Sequence, residues 1–368
     1  MNTAMSNPTN TTFFSSLTGK NPPTYGLIMA ESIGTRFWPV STEEFPKQFH
    51  DLLGTGRSLL QKTFDRLSAF IPPENIRILT NTRYQKKVLE QLPEITENQL
   101  VLEPTMRNTA PCILLAALKI HKINPEARML VAPSDHWIED ENAFQQDVTT
   151  ALEASKNNIL ITLGIPPTFP HTGYGYIQFD PADTLHNVYR FTEKPDYQTA
   201  KNFIASGNYR WNAGIFVWST HSIIQAFKNY LPQMYQQFEA GIDFLNTPNE
   251  QAFIKKNYPL VENISIDYGI LEKADNIKML SASFDWNDLG SWGALYEKLP
   301  KNTAGNAVVH SHAVLENATN NLVIADPDKN IILSGLSGYI VVAVQNDLLI
   351  LPQENEQDLK QLLIQLKS

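Results

Sequence analysis

The stretch YGLIMAESIGTRFWPVSTEEFPK, residues 25–47, decides the fold, because an apolar segment runs directly into a loop with a glycine and two basic side chains. The segment YGLIMA predicts a short β-strand. In the loop, Gly34 lets the backbone approach a phosphate group, and Arg36 and Lys47 supply cationic donors. On these residues alone the loop is also compatible with a surface turn, since it matches neither the P-loop nor the dinucleotide-binding pattern.

Strands and helices alternate downstream of this loop. Helical spacing of apolar residues recurs in SLLQKTFDRLSAFI, TRYQKKVLEQL, APCILLAALKIH and NAFQQDVTTALEAS, and strand-like runs recur in IRILT, QLVLE and RMLVAP. Such alternation predicts an α/β fold with a mostly parallel, mixed sheet and helices on both faces. Ligands of these sheets bind beyond the carboxyl ends of the strands, so we expect the site in the loops that follow them.

The pattern changes after Pro300 to short apolar runs separated by Asn, Asp and Gly, and the chain closes with the amphipathic segment ENEQDLKQLLIQLKS. We predict a disordered tail at residues 1–24, which are rich in Asn, Thr, Ser and Pro. We also predict an α/β domain at residues 25–300 and a small β-rich domain with a terminal helix at residues 301–368.

The composition of the chain excludes several classes of binding partner. With 38 acidic against 29 basic residues and a formal charge of −9, the chain does not predict a nucleic-acid surface. It has no apolar run of the roughly 20 residues that span a bilayer, and no secretory signal is evident, so we expect a cytoplasmic protein without a membrane contact. One cysteine, Cys112, and eight scattered histidines predict neither disulfides nor a cysteine-rich zinc site.

The loop resembles the signature of the mannose-1-phosphate guanylyltransferases, and further matches follow in that family's order. They are LEPTMRNTAP (102–111), APSDHWI (132–138), GIPPTFPHTGYGYIQF (164–179), FTEKPD (191–196), WNAGIFVWS (211–219), SIDYGILEKADN (265–276) and FDWNDLGSWGALYE (284–297). The resemblance extends from about Tyr25 to the C-terminus, and the ordered set is far more specific than any one motif. It implies a Rossmann-like nucleotidyltransferase domain.

The resemblance also implies a reaction, the transfer of a guanylyl group from GTP to mannose 1-phosphate with Mg²⁺, giving GDP-mannose and pyrophosphate. A phosphate oxygen must then attack the α-phosphorus in line, so the protein has to position two anions and neutralise the charge between them. By resemblance, Arg36 and Lys47 hold the triphosphate, and Asp135 and Asp288 bind the metal. Without the resemblance, both aspartates would be expected to cap helices or turns.

The nucleotide-binding residues implied by the resemblance are Ala30, Gly34, Thr35, Glu103, Arg107 and Asn108. For Glu103 a chemical argument points the same way. Guanine presents the adjacent donors N1–H and N2–H, which one carboxylate can accept together, whereas a glutamine would better suit a pyrimidine. The alternative is that Glu103 caps the helix that starts near Thr109.

For the sugar phosphate, the resemblance implies Gly173, Glu193, Lys194 and Asn212. Lys194 would hold the phosphate, Glu193 and Asn212 the sugar hydroxyls, and Gly173 would let the backbone close over the substrates. Taken alone, Lys194 is a solvated lysine before a proline turn, and Gly173 is equally typical of a strand bulge or turn. The tryptophans near these motifs are expected to pack pocket walls and core, at positions 211, 218, 286 and 292.

The match departs from the family at two places. Glu31 and Ser32 stand where the family has two glycines, and Asp285 and Asn287 stand where it prefers glycine and serine. A β-carbon costs about 1 kcal/mol or more where φ is positive, and a glutamate beside a triphosphate adds repulsion. Two alternatives therefore stay open, namely a weakened homologue that acts as a binding or regulatory subunit, and an enzyme with another nucleoside triphosphate or hexose 1-phosphate.

Two further expectations concern assembly and extent. A homodimer is expected, because the short β module provides a subunit contact in this family. No isomerase activity is expected, because the sequence ends soon after that module.

Overall fold

In the computed structural model, the described residues are 22–31, 35–155 and 158–367. Most of the expected tail lies outside them, and its last residue, Thr24, already begins the first strand. The strands, β1 to β15, are Thr24–Ala30, Ile76–Asn81, Leu100–Glu103, Arg128–Pro133, Leu160–Ile165, Tyr176–Phe179, Leu185–Thr192, Tyr209–Ser219, Ile277–Ser281, Ala307–Val309, His312–Glu316, Leu322–Ala325, Asn330–Ser334, Tyr339–Val344 and Asp347–Pro352.

The first nine strands form one sheet in the order β3-β2-β1-β4-β8-β5-β9-β7-β6. The four strands β3, β2, β1 and β4 are parallel, so their carboxyl ends meet at one edge. Strand β8 runs antiparallel to β4, β5 and β6, and only β5 and β9 are parallel in that half. The mixed α/β class predicted from the alternation is confirmed, with its parallel part in the first half.

Helices cover both faces of this sheet. The helices, α1 to α10, are Leu59–Ser68, Gln85–Gln91, Thr109–Ile123, Glu141–Ala154, Tyr197–Ser206, Thr220–Tyr230, Pro232–Glu239, Glu250–Asn257, Trp292–Lys298 and Leu359–Lys367. Neighbouring residues of β1 enter opposite cores, Leu27 beside α3 and Ile28 beside α1. Because successive side chains of a strand point to opposite faces, a strand buried on both sides is apolar throughout, as YGLIMA is.

After residue 300, successive turns of the chain stack on one another, and their strands pair in parallel. Strands β10, β12 and β14 pair in parallel, β11 pairs with β13, and β15 returns antiparallel to β14. A ladder of buried asparagines supports the turns, since Asn306 Oδ1 accepts from the backbone N–H of Asn321, and Asn321 Oδ1 accepts from that of Tyr339.

This module shares one apolar core with the loops around the first strand. Phe37, Leu52 and Trp292 pack with Leu322 and Ile340 of the module. The boundary near residue 300 stays a prediction. Among the residues that the structure describes, no helix combines the length and the apolar character needed to cross a membrane.

Candidate active site

A buried lysine ties together the two loops that carry the predicted metal-binding aspartates. Lys47 lies in a short 3₁₀-helix, Lys47–Phe49, and is only 4% exposed. Its Nζ donates to Asp135 Oδ2 at 3.1 Å and to the carbonyl oxygen of Asp288 at 2.6 Å. Asp135 follows β4, so the cluster lies at the carboxyl edge of the parallel strands, where the topology predicts a ligand site.

The Asp135 carboxylate is held ionised. Burial alone would raise its pKa, but the ammonium of Lys47 and the neighbouring His136 more than offset this effect, so the pKa of Asp135 lies below its ordinary value. Burial lowers the pKa of His136, whose Nδ1 faces the indole N–H of Trp286 at 3.1 Å.

Asp288 is anchored from two sides. Its Oδ1 accepts from the hydroxyl of Tyr174 at 2.7 Å and from the backbone N–H of Gly290 at 3.0 Å. The second bond closes a turn, so the turn-forming role weighed for this aspartate is present beside its place in the cluster. Arg36 Nη1 donates to the carbonyl oxygen of Gly290 at 3.1 Å. The structure thus brings Arg36, Lys47, Asp135 and Asp288 together.

The donor chemistry here fits Mg²⁺. That ion takes one or two carboxylates and completes its shell with water and phosphate oxygens. Asp135 and Asp288 supply carboxylates from two loops that Lys47 holds together, and Lys47 and Gly290 each engage only one oxygen of the respective carboxylate.

The predicted sugar-phosphate residues lie around the start of β6 and β8. Asn212 N–H donates to the carbonyl oxygen of Gly175 at 2.8 Å, and Lys194 N–H donates to that of Tyr174 at 3.2 Å. Lys194 has a positive φ of 46°, and its Nζ lies 2.9 Å from Glu193 Oε1, which raises the pKa of the lysine.

The same region contains Asp267, which sequence reasoning did not single out. Asn212 Nδ2 donates to Asp267 Oδ1 at 2.7 Å. Burial, followed by the nearby Glu193, raises the pKa of Asp267 to about 6. The residue opens a single π-helical turn, Asp267–Leu271, a distortion that is frequent at functional sites. Its signal was present in the quoted segment SIDYGILEKADN, but only tertiary contact joins it to Asn212.

Tyr174 was missed in the same way. Its ring stacks on His171 at 3.7 Å between centroids and contacts Trp211 and Trp286 edge-on. The hydroxyl, bonded to Asp288, links this aromatic wall to the aspartate cluster. Gly173, one residue before, donates its N–H to His171 Nδ1 at 3.1 Å. Of the other tryptophans, Trp218 and Trp292 are fully buried in the core.

Glu103 lies at the end of β3 and is 1% exposed. Its Oε2 accepts from the hydroxyl of Tyr258, and its buried Oε1 has no hydrogen-bond partner among the described residues. The N-cap position of helix α3 is occupied by Asn108, and the hydrogen bond that Glu103 receives comes from Tyr258 and not from this helix. The alternative that Glu103 caps α3 is therefore wrong. One carboxylate oxygen is left for a ligand.

Glu31 turns toward Glu103. The Glu31 carboxylate, the Glu103 carboxylate and the Cys112 thiol each place an oxygen or sulfur within 4.8 Å of the other two. Burial raises the pKa of Glu31 to about 7, although a hydrogen bond with Cys112 opposes the shift. The departure from the family therefore lies beside the predicted base-recognition residue.

Arg107 and Asn108 form hydrogen bonds with the loop that contains Pro259 and Asn263. Arg107 Nη2 donates to the carbonyl oxygen of Pro259, and Asn108 Nδ2 donates to Asn263 Oδ1 at 3.0 Å. Arg107 Nε is buried without a partner among the described atoms. Ala30, fully buried, ends β1.

The signature loop is described only in part. Gly34 and Ser32 lie outside the described residues, and for Thr35 only the backbone, at the start of a short 3₁₀-helix, is described.

Asp285 and Asn287, the second departure, bond to backbone. Asp285 Oδ1 accepts from the N–H groups of Glu139 and Asp140 at 2.9 and 2.8 Å. Asn287 exchanges backbone hydrogen bonds with Trp137 and accepts from Leu289 N–H at 2.7 Å. The side chain of Asp285 and the backbone of Asn287 thus join the Asp288 loop to the Asp135 loop.

Comparisons with known proteins identify the family of this chain. The model of the family described as "Nucleotidyl transferase" matches residues 25–305. A mannose-1-phosphate guanylyltransferase of Klebsiella pneumoniae is 35% identical over 348 residues, covering 91% of this chain and 72% of the relative. One of Escherichia coli is 34% identical over the same shares. A solved structure titled mannose-1-phosphate geranyltransferase, from Thermus thermophilus, superposes with a TM-score of 0.85 at 30% identity and covers 94% of this chain and 99% of its own.

Proposed function

The chain belongs to the nucleotidyl transferase family and, within it, to the mannose-1-phosphate guanylyltransferases, and from this membership we propose that it transfers the guanylyl group of GTP to α-D-mannose 1-phosphate, releasing pyrophosphate. The observation that carries the proposal is the contact of buried Lys47 with both aspartate loops, because it fixes a cation between the Asp135 carboxylate and the backbone of Asp288 at the sheet edge.

Lys47 and Arg36 act on the triphosphate in this proposal. Arg36 is exposed, and among the described residues its hydrogen bond is to Gly290, so its guanidinium is available to the departing pyrophosphate. Lys47 is buried and cannot be solvated, so a phosphate oxygen is a favourable new partner for its ammonium. Both cations offset the charge that develops in the transition state.

Asp135 and Asp288 would hold Mg²⁺, which when bound neutralises phosphate charge and orients the reacting groups. Tyr174 fixes the orientation of the Asp288 carboxylate, and burial together with Asp288 raises the pKa of its hydroxyl, so the hydroxyl remains a donor. The chain itself needs no covalent nucleophile, since positioning and charge stabilisation suffice for this transfer.

At the other end of the pocket, Lys194 binds the phosphate of mannose 1-phosphate, and Glu193 and Asn212 bind sugar hydroxyls. The Lys194 side chain is 61% exposed, and its ion pair in the described part of the chain is with Glu193, so it can exchange that partner for a phosphate. Asp267 holds the Asn212 amide in place through a 2.7 Å hydrogen bond. Glu103 accepts the guanine donors through its unpartnered oxygen.

Pyrophosphate release tests the proposal. The wild-type chain is incubated with Mg²⁺, each of GTP, ATP and UTP, and either mannose 1-phosphate or glucose 1-phosphate. We expect the highest rate with GTP and mannose 1-phosphate, and the nucleotide sugar is identified by mass spectrometry. A higher rate with another pair would change the substrates but keep the enzyme class.

A binding module would behave differently. If mannose 1-phosphate binds in calorimetry while GTP with Mg²⁺ neither binds at millimolar concentration nor releases pyrophosphate, the enzyme proposal fails. In the double variant Glu31→Gly/Ser32→Gly, a large gain of rate would show that these two residues limit nucleotide binding. The cytoplasmic location and the homodimer stay predictions.

A further inference from the structure

Three side chains from three different segments of the chain meet beside the first strand. Glu31 follows β1, Glu103 ends β3, and Cys112 lies in the first turn of α3. One ligand atom of each, two carboxylate oxygens and the sulfur, lies within 4.8 Å of the others. In the part of the chain that the structure describes, this is the one group of three His, Cys, Asp or Glu side chains so close together.

The two carboxylates are incompletely paired. Glu31 Oε1 and Glu103 Oε1 are both buried without a hydrogen-bond partner in the described structure. Glu103 is 1% exposed and receives a hydrogen bond on its other oxygen only. A buried carboxylate oxygen without a partner costs on the order of 1–3 kcal/mol or more, so two at one point indicate a missing ligand.

We propose that Glu31, Glu103 and Cys112 form a binding site for a thiophilic divalent cation such as Zn²⁺. Zinc accepts carboxylate oxygen and thiolate sulfur with tetrahedral geometry at about 2.0–2.3 Å, and water completes a three-ligand site. Ligand atoms around such an ion lie roughly 3.5 Å apart, so the cluster closes by only about 1 Å. The thiol proton of Cys112, and the proton that the Glu31 carboxyl carries near neutral pH, are released to solvent when the ion binds.

This site differs from the aspartate cluster in its chemistry. Asp135 and Asp288 supply only oxygen, the donor that Mg²⁺ prefers, whereas a thiolate selects softer ions. Glu31 is half-buried, whereas Glu103 and Cys112 are buried. The sequence did not predict zinc because its ligands stand at positions 31, 103 and 112 without the spacing of known zinc motifs.

One consequence rests on the proposed function. If Glu103 binds guanine, a cation on Glu103 and the base of GTP exclude each other. Micromolar Zn²⁺ would then inhibit competitively with GTP and not with mannose 1-phosphate.

Cobalt spectroscopy tests the site without any nucleotide. Tag-free protein is titrated with Co²⁺, and we expect a near-ultraviolet sulfur-to-cobalt charge-transfer band that saturates at one ion per chain and disappears on addition of Zn²⁺. The band reports a cobalt–thiolate bond, and Cys112 is the only cysteine. Cobalt bound at Asp135 and His136 gives no such band, and absence of the band in the wild-type protein overturns the proposal.

Variants assign the ligands. Cys112→Ser should abolish the band, and Glu31→Gln should weaken Co²⁺ affinity by at least about tenfold. Glu153→Gln, on the exposed side of α4, is the matched control and should change nothing. Circular dichroism of each variant checks the fold, and an unchanged affinity in folded Glu31→Gln removes Glu31 from the site.

Competition between Zn²⁺ and GTP is measured in a separate experiment. Competition between Zn²⁺ and GTP with a normal cobalt band supports both the site and the assigned base pocket. A normal band without competition keeps the cation site and contradicts only the placement of guanine on Glu103.

Discussion

The Lys47 end and the Glu31 end of the proposed nucleotide site hold buried charge in opposite ways. Around Lys47, the cation is paired with Asp135 and with a backbone carbonyl, and the carboxylate stays ionised. Around Glu31, two carboxylates and a thiol meet with no cation among their described contacts, and burial raises the pKa of Glu31 to about 7. At the first end, buried opposite charges are paired within the protein, whereas at the second end two buried carboxylate oxygens have no hydrogen-bond partner among the described residues.

This difference in pairing corresponds to two roles, the stabilisation of charge by preorganised groups and the recognition of a ligand by unpaired groups. Groups that stabilise charge in a transition state work best when neighbours already hold them in place, as Tyr174 holds Asp288. Groups that recognise a ligand need free hydrogen-bonding capacity, and the unpartnered oxygen of Glu103 has it. Substitutions at the two ends should therefore differ in kind.

The largest effect is expected from Lys47→Met, which keeps an apolar side chain of similar length and removes the charge, including the ammonium that lies 5.7 Å from the centroid of the Phe37 ring. Pyrophosphate release should fall by about a thousandfold or more, because a cation for the phosphates is lost. Unfolding free energy should also fall by about 3 kcal/mol, since Asp135 is left buried and unpaired.

A second substitution separates the loss of activity from the loss of stability. The double variant Lys47→Met/Asp135→Asn should regain stability in chemical denaturation but not activity. Lys86→Met, on an exposed lysine of α2, is the control. A fully active Lys47→Met protein would contradict the role of this lysine.

Glu31→Gln should have the next largest effect, on stability. The folded protein binds more protons at Glu31 than the unfolded chain between pH 4.5 and about 7, so wild-type stability falls as the pH rises through this window. The loss amounts to at most about 3 kcal/mol, and the glutamine variant avoids it. Thermal unfolding at pH 5 and pH 8, with Glu153→Gln alongside, should show a relative gain for Glu31→Gln at pH 8 only. An equal gain at both pH values would rule out the titration of Glu31 as its cause.

Glu103→Gln should reduce nucleotide selectivity. Replacing one carboxylate oxygen by an amide removes an acceptor for the guanine donors, so the KM for GTP should rise about tenfold to a hundredfold. The preference for GTP over UTP should narrow by a similar factor, measured as the ratio of kcat/KM values. Glu97→Gln, exposed before β3, serves as control, and an unchanged ratio would place the base elsewhere.

Asp285→Ser should give the smallest effect. The shorter side chain cannot reach the N–H groups of Glu139 and Asp140, and unfolding free energy should fall by about 1 kcal/mol. Because the Asp288 loop is also joined through Asn287 and Trp137, kcat should fall less than about tenfold. Asp328→Ser is the exposed control, and a loss as large as that of Lys47→Met would mean that Asp285 acts on the substrate directly.

The sequence by itself determined the fold class and the ordered motifs. Alternating apolar periods specify strands and helices locally, and the strands predicted at YGLIMA, IRILT, QLVLE and RMLVAP are present. Parallel pairing then places the ends of these strands at one edge, so the neighbourhood of Asp135 followed from topology alone.

Only the tertiary structure decided which side chains share a pocket. Tyr174, Asp267 and Cys112 carry no local pattern that joins them to Asp288, Asn212 and Glu31, because these contacts cross between chain segments through the sheet and its loops. The direction of a carboxylate and the burial that shifts its pKa depend on the packing of all neighbouring elements, and sequence periodicity does not report them.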